Sequence, residues 1–344
     1  MKPDMITRIA PVWQAENWQK SLAEAIRDPA ELLQILELPK DLLPAAQRAA
    51  ASFPLRAPLS YINRIEKGNP QDPLLLQILP LHAELDTPSE GFTTDPVGDL
   101  GARPVPGLLH KYRGRALLIT TGACAIHCRY CFRRHYPYQD GCSSPTNLDR
   151  IVDYLHDDES IEELILSGGD PLSLSTARLA ELGRQLLSIP HIKRLRLHTR
   201  LPIVLPERID TELLDWLQSL PVQTIMVIHS NHAREIDARV HQALKNLQQT
   251  GIHLLNQSVL LRGINDSLES LSALSETLFE ASVMPYYLHQ LDKVVGAQHF
   301  QVSDETAAKL VQNLAQQLPG YLVPKLVREI AGETAKTPLP AKVL

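Results

Sequence analysis

The amino-acid sequence predicts an α/β protein whose core is a partial, TIM-like parallel barrel of six strand–helix units, preceded by a helical extension. Three observations predict this fold. Short apolar runs recur about every thirty residues, which is the length of one βαβ repeat. The segments between the runs place Leu, Ile or Ala at three- and four-residue intervals, as amphipathic helices do. The stretch before the first run carries helix signals and few strand signals. In such folds the functional site lies at the carboxyl ends of the strands.

Composition excludes several classes of function. A chain of 344 residues is long enough for one barrel-sized domain with an extension. A net charge of −5 argues against a nucleic-acid partner, and the apolar runs are too short to span a membrane, so neither partner is expected. The first residues, 1–5, lack the apolar core of a signal peptide, and cysteines are few. We therefore expect a cytoplasmic protein.

The N-terminal region, residues 1–109, is predicted to be helical and to end in a linker. Asp28 is placed as an N-cap, Pro29 as the first helical residue and Glu31 as a capping-box partner. Further helices are expected over 42–52 and 60–66. Residues 95–105 are rich in Gly and Pro, which is typical of a linker.

The barrel is predicted over residues 110–320. Its expected strands are 116–120, 163–167, 194–198, 224–229, 253–260 and 284–288, and its expected helices are 177–188, 211–219, 234–249, 268–279 and 305–318. A last apolar run, 321–327, is predicted to be a strand that leads into a C-terminal segment, so that residues 321–344 form a third unit.

Three cysteines, Cys124, Cys128 and Cys131, lie within eight residues directly after the first predicted barrel strand. Thiolates are the usual ligands of iron–sulfur clusters, and three ligands on a four-iron cluster leave one iron open for a small molecule. A structural zinc site needs a fourth ligand, but no second Cys-x2-Cys or His-x3-His pair is present. A disulfide framework is typical of small secreted chains. The loop therefore predicts a cluster at the barrel mouth, and Cys142, outside it, is expected to be an ordinary thiol.

The second barrel strand ends in Ser167-Gly168-Gly169-Asp170. Paired glycines let a ligand approach the backbone closely, and backbone carbonyls with the Asp170 carboxylate suit a free α-amino group. The same four residues could also form a plain turn. Their position one βα unit after a cluster loop favours a ligand site.

Together, the cysteine loop and the Gly-Gly-Asp turn resemble those of the radical S-adenosylmethionine (SAM) enzymes. From His110 onward the chain resembles, more narrowly, the lysine 2,3-aminomutase family. The matching segments follow in order: 121–134, 166–170, 229–232, 256–266, 285–292 and 336–338. This resemblance implies a radical SAM barrel, three cofactors ([4Fe-4S] cluster, SAM and pyridoxal 5′-phosphate, PLP) and an electron donor such as flavodoxin or ferredoxin.

The family resemblance also implies which residues hold the cofactors. The three loop cysteines would bind the cluster, and Gly168, Gly169 and Asp170 the methionine end of SAM. Lys336 matches the lysine that binds PLP covalently, although a lysine near a C-terminus is by default a solvated tail residue. Arg115 matches the arginine that pairs with the PLP phosphate, a role that suits a bidentate guanidinium, but it could equally be a surface charge.

Substrate-binding residues are implied in the same way. Arg133, two residues after the last cysteine, matches the arginine that binds the substrate α-carboxylate. Asp292 and Glu329 match two carboxylates that receive the far ammonium group of lysine, with Glu329 longer by one methylene than the aspartate of the family. Three polar residues at strand ends match cofactor-contact positions but could equally be satisfied barrel-lining groups: His229, Asn256 and Gln257.

Within this family the chain is most similar to a short bacterial branch, the elongation factor P (R)-β-lysine synthases. Residues 18–33 resemble that branch, and Ser267 stands where catabolic members carry a zinc-binding cysteine. The implied reaction is radical transfer of the amino group of L-α-lysine from C2 to C3, giving (R)-β-lysine that a ligase attaches to elongation factor P. Three alternatives remain open. A catabolic lysine 2,3-aminomutase would use the same machinery, a glutamate 2,3-aminomutase would want a basic residue in place of Asp292, and a non-catalytic iron–sulfur protein would need neither Lys336 nor Arg115.

Overall fold

The structure is a computed structural model that describes residues 17–140 and 145–339. Cys142 and the first five residues, about which the sequence raised expectations, lie outside these ranges.

The strands of the described residues form one sheet of nine strands whose spatial order follows the chain. They are β1 (Leu108–Tyr112), β2 (Arg115–Thr121), β3 (Glu163–Gly168), β4 (Arg194–Thr199), β5 (Gln223–Ile228), β6 (His253–Val259), β7 (Met284–His289), β8 (Lys325–Arg328) and β9 (Thr337–Pro338). Strands β2 to β8 run parallel, and β1 and β9 add antiparallel at the two edges. The six predicted barrel strands are confirmed as β2 to β7, and the predicted fold class is correct.

Helices cover the sheet and build the N-terminal region. They are α1 (Trp18–Ala23), α2 (Pro29–Ile35), α3 (Leu43–Ser52), α4 (Leu59–Ile62), α5 (Pro145–Asp157), α6 (Thr176–Leu186), α7 (Leu201–Val204), α8 (Thr211–Ser219), α9 (Ala238–Gln249), α10 (Leu268–Glu280) and α11 (Asp304–Gln317). Asp28 caps α2 as predicted, because its carboxylate accepts a hydrogen bond from the Ala30 N–H at 2.9 Å. Ser267 has the same function at α10, where its hydroxyl accepts from the Ser270 N–H at 3.1 Å. Among the described helices, none combines the length and the apolar character that a membrane crossing requires.

Several elements differ from the sequence prediction, among them the helix predicted over 60–66, which ends at 62 as α4. Strand β1 was not predicted; it forms a hairpin with β2 through a tight turn at Gly114, whose φ of +81° favours glycine. The last strand was predicted over 321–327 but occupies only β8, because residues 320–322 form a 3-10 turn between Pro319 and Pro324. Helix α9 begins at 238 rather than 234, since Asp237 caps it with a side-chain bond to the Val240 N–H.

The N-terminal helices share one apolar core with the barrel. Buried residues such as Leu32 and Tyr61 belong to the same cluster as Leu118 and Leu166 on the strands. The segment after α3 also packs on the cysteine loop: the His127 N–H donates to the Arg56 carbonyl oxygen at 2.9 Å. The extension therefore forms part of the wall around the barrel mouth.

Candidate active site

A cavity of about 610 Å³ opens at the carboxyl ends of the parallel strands. It brings together every site residue named from the sequence except Asn256. These residues are Arg115, Cys124, Cys128, Cys131, Arg133, Gly168, Gly169, Asp170, His229, Gln257, Asp292, Glu329 and Lys336. Asn256 is buried beside the cavity, where its side-chain amide bonds the backbone N–H and carbonyl of Ser230 at 2.8 and 3.1 Å. These bonds satisfy the Asn256 amide within the protein, and its predicted contact with a cofactor stays a prediction.

The cysteine loop presents three free thiols to this cavity. Burial and the neighbouring Cys128 raise the pKa of Cys131 to about 11, and burial likewise raises the pKa of Cys124. Bound iron would offset this cost, because metal binding deprotonates thiols. Within the described ranges, no group of three His, Cys, Asp or Glu side chains is arranged to hold a single metal ion, whereas the cysteines of a four-iron cluster each bind a different iron. The residues present fit a cluster.

The Gly-Gly-Asp turn packs directly against the cysteine loop. The Gly169 N–H donates to the Thr121 carbonyl at 2.7 Å, and the Asp170 N–H donates to the Ala123 carbonyl at 2.8 Å. A Cβ atom on residue 169 would lie 2.4 Å from the Ala123 carbonyl oxygen, so this position requires glycine. The cluster loop and the turn predicted to hold SAM are therefore one rigid unit.

The Asp170 carboxylate accepts more hydrogen bonds from the protein than the sequence suggested. Its carboxylate accepts from the Thr199 hydroxyl at 2.7 Å, the Arg200 N–H at 2.7 Å and the Leu172 N–H at 3.0 Å. Burial raises its pKa to about 6 in spite of these bonds.

Arg200, which the sequence reading missed, connects this turn to the cysteines. Its guanidinium Nη1 lies 2.7 Å from Cys128 Sγ, and Nη2 donates to Glu235 at 2.9 Å. The only available sequence signal was its position at the end of a barrel strand. A buried cation beside a thiolate ligand stabilises negative charge on the sulfur.

Ion pairs form a continuous chain among five charged residues that line the cavity. Lys336 Nζ lies 2.8 Å from Glu329 Oε2, and Lys111 Nζ lies 2.9 Å from Glu329 Oε1. Lys111 also pairs with Asp99 at 2.5 Å, and the other oxygen of Asp99 accepts from Arg133 Nε at 2.7 Å. Burial alone would raise the pKa of Asp99 and of Glu329, but the neighbouring cations lower both below their usual values. Sequence reading missed Lys111 and Asp99, since Asp99 lies in a segment that has a linker composition.

Asp292 is a further carboxylate near this chain of ion pairs. Its Oδ1 is buried and accepts no hydrogen bond from the protein. Burial and the negative charge of Glu329 raise its pKa to about 7. A cation that binds here would offset both the cost of burying the carboxylate and its repulsion from Glu329, so the position is suited to an ammonium group.

The residues around Lys336 fit PLP. The Lys336 ammonium lies 5.9 Å from the centre of the Tyr287 ring, and the Arg115 guanidinium stacks over Tyr112 at 4.5 Å. Arg196 on β4, not named from the sequence, lines the same cavity. An amine, aromatic rings and guanidinium groups together match the aldehyde, ring and phosphate of PLP.

Three histidines line the floor of the cavity: His198, His229 and His289. His229 shares a 2.6 Å hydrogen bond with Gln257. Burial lowers the pKa of His229 to about 3 and lowers that of His198 and His289 as well, so all three imidazoles are neutral near pH 7. His198 and His289 were missed, although each lies at the end of a strand, where the site was expected.

Comparison with known proteins agrees with this geometry. The model of the Radical SAM superfamily matches residues 118–274. The chain is 49% identical over 325 residues to the L-lysine 2,3-aminomutase of Escherichia coli (strain K12), covering 94% of each chain. It is 48% identical over 324 residues to the L-lysine 2,3-aminomutase of Haemophilus influenzae, covering 94% of this chain and 96% of the relative. It is 33% identical over 325 residues to that of Clostridium subterminale, covering 94% of this chain and 77% of the relative.

Proposed function

This chain belongs to the L-lysine 2,3-aminomutase family of radical SAM enzymes, and we propose that it converts L-α-lysine to (R)-β-lysine. Members of the family are isomerases whose cofactors are a [4Fe-4S] cluster, SAM and PLP. One observation carries the proposal: a single cavity holds a three-cysteine loop, a lysine beside arginines and aromatic rings, and charged groups for both ends of a diamino acid.

When bound, these cofactors supply a radical that removes hydrogen from the substrate and a conjugated system that carries the migrating nitrogen. The protein contributes position. Cys124, Cys128 and Cys131 would hold the cluster, and the turn at Gly168 and Gly169 would hold SAM against it. Because this turn is bonded to the cysteine loop, the two ligands would have a fixed separation.

Arg133 would bind the substrate α-carboxylate. Its Nε donates to Asp99 at 2.7 Å and its Nη1 donates to the Ser167 hydroxyl at 3.4 Å, which together fix the plane of the guanidinium at the cavity. Such a fork pairs with a carboxylate through two parallel bonds. Since Arg133 is two residues from Cys131, it would place the reacting carbons next to the cluster.

Asp292 and Glu329 would receive the far ammonium group. The substrate cation would lower the pKa of Asp292 from about 7 and so ionise the carboxyl that binds it. A glutamate side chain would instead place a carboxylate against these acids, which is strongly unfavourable. The charges of the site therefore favour a basic amino acid.

Lys336 would bind PLP, with Arg115 on its phosphate. Lys336 must lose its proton before it can react with an aldehyde, so its ion pair with Glu329, at 2.8 Å, must open when PLP binds. Neutral histidines and the Phe53–Pro54 segment line the rest of the cavity and would keep water from a radical.

We further propose that the product is attached by a ligase to elongation factor P and that flavodoxin or ferredoxin supplies the electron. Support for this role is the resemblance of residues 18–33 and Ser267 to the short bacterial branch. An assay that joins this chain, L-lysine, the ligase and elongation factor P should give a mass increase on the factor that depends on SAM, and added β-lysine should replace this chain in the assay. No increase with either addition would contradict the link.

Trapping of PLP tests the site assignment. The anaerobically reconstituted protein should carry iron and a yellow absorbance, and borohydride reduction followed by peptide mapping should find the pyridoxyl group on Lys336. A preparation with iron but without PLP would favour a non-catalytic iron–sulfur protein. A pyridoxyl group on another lysine would overturn the role of Lys336.

A further inference from the structure

We propose that Lys111 and Asp99 are positioning residues that hold the two ends of the substrate site at a fixed separation and thereby select lysine over shorter diamino acids. This inference rests on the proposed function, because it assigns Arg133 to the α-carboxylate and Glu329 to the far ammonium. It adds two residues that line the same cavity and determine where both substrate anchors lie.

Asp99 connects Arg133 to Lys111. Its side chain is 2% exposed, and each of its oxygens has a different cationic partner: Oδ2 accepts from Arg133 Nε at 2.7 Å, and Oδ1 pairs with Lys111 Nζ at 2.5 Å. A buried carboxylate held on both sides by ion pairs has little freedom to move. The orientation of the Arg133 guanidinium is therefore coupled to the position of Lys111.

Lys111 connects Asp99 to Glu329. Its ammonium donates to the Val97 carbonyl at 2.8 Å and to Glu329 Oε1 at 2.9 Å, in addition to its pair with Asp99. The ammonium is thus held by two residues of the 95–105 segment and by Glu329 at once. Its effect on the substrate acts through the anchors that it positions, which are Glu329 and, by way of Asp99, Arg133.

The position of these residues in the fold explains why such a connection is needed. Lys111 lies on β1, which is one edge of the sheet, and Glu329 directly follows β8, which is near the other edge. The ion pair between them therefore spans the gap of the partial barrel. Arg133 is held through Asp99 to Lys111 on the β1 edge, and Glu329 follows β8 near the other edge. The width of the gap between these edges therefore sets the distance between the two substrate anchors.

Fixed anchors discriminate chain length. Ornithine is one methylene shorter than lysine and could not reach both anchors unless they moved together. One methylene is worth about 10- to 200-fold in kcat/KM at a rigid site. Without the Lys111 charge, Glu329 would keep only its ion pair with Lys336, and Asp99 would keep only its pair with Arg133. The two anchors could then move independently and adapt to the shorter substrate.

The test compares three variants with the wild-type holoenzyme. Lys111→Met removes the charge at similar length, and Lys111→Arg keeps it. Lys67→Met is the matched control, because Lys67 forms an exposed ion pair with Glu37 at 2.8 Å on the N-terminal region. For each protein we would measure iron and PLP content, the Kd of L-lysine and L-ornithine from the PLP absorbance without reductant, and kcat/KM for both amino acids.

Lys111→Met should keep its iron and PLP, raise the Kd and KM for lysine about tenfold, and lower the lysine-to-ornithine ratio of kcat/KM about tenfold or more. Lys111→Arg should recover most of that ratio, and Lys67→Met should equal wild type. An unchanged ratio in Lys111→Met would overturn the inference. Loss of iron or PLP in this variant would overturn it too, because the pair would then be needed for folding rather than for positioning. Failure of the wild-type enzyme to isomerise lysine would instead count against the proposed function.

Discussion

Substitution of Gly169 by alanine should uncouple the cluster loop from the turn proposed to hold SAM. The new Cβ would lie 2.4 Å from the Ala123 carbonyl oxygen, while real Cβ contacts are essentially never below 3.0 Å, so the loop would have to retreat by at least about 0.6 Å. Overpacking of this kind costs about 1–3 kcal/mol. The retreat also weakens the hydrogen bonds that Gly169 and Asp170 donate to the cysteine loop, each worth about 1 kcal/mol.

A total near 3 kcal/mol corresponds to about a hundredfold in an equilibrium constant. Because the strain is local, the barrel should remain folded while the loop rearranges. We therefore expect Gly169→Ala to hold less than about half of the wild-type iron after reconstitution, or to bind SAM about a hundredfold more weakly. Iron analysis and calorimetric titration of SAM measure these two quantities.

Gly101→Ala is the matched control, since a Cβ atom there would meet no atom within 4 Å and the residue needs no left-handed backbone. This variant should equal wild type in iron content and SAM affinity. If Gly169→Ala also equalled wild type in both, the turn and the loop would be less rigidly joined than the contact distances indicate, and the reasoning would be refuted.

Three further predictions concern single side chains. Lys336→Ala should abolish turnover and the yellow absorbance but retain iron, because the recorded contacts of Lys336 are with Glu329 and Tyr287 rather than with the cysteines; retained turnover would contradict its role. Asp292→Asn should stabilise the lysine-free protein above pH 7 by about 2 kcal/mol. The pKa of Asp292 is near 7 in the folded protein, above its unfolded value, so this carboxyl lowers the free energy of unfolding as pH rises from about 4 to 7. The full effect of about 4 kcal/mol is halved here because the side chain is partly exposed. Thermal unfolding at several pH values should show the two proteins converging near pH 4, and a constant difference would argue against this titration. Cys131→Ala should lose most of its iron, and full iron content would exclude it as a ligand.

Local patterns in the sequence predicted much of the fold and of the site. The cysteine spacing, the thirty-residue period and the Gly-Gly-Asp turn depend on residues close in sequence, so they could be read without coordinates. The edge strand β1 was missed because its apolar run, at Leu108 and Leu109, is only two residues long.

Long-range partners could not be predicted in the same way. Asp99 lies in a Gly- and Pro-rich segment, and its pairing with Arg133 arises only when the linker folds over the barrel mouth. Lys111 meets Glu329 because the edges of the sheet approach each other, a distance that no local pattern encodes. The unpartnered oxygen of Asp292 and the neutrality of the histidines likewise depend on burial in the folded protein.

The most direct test of the central claim is an anaerobic assay of the reconstituted protein with SAM, a reductant and L-lysine, followed by chiral analysis of the product. The proposed function predicts (R)-β-lysine that forms only when iron, SAM and PLP are all present. Isomerisation of glutamate but not of lysine, or absence of any β-amino acid from a protein that carries all three cofactors, would contradict it.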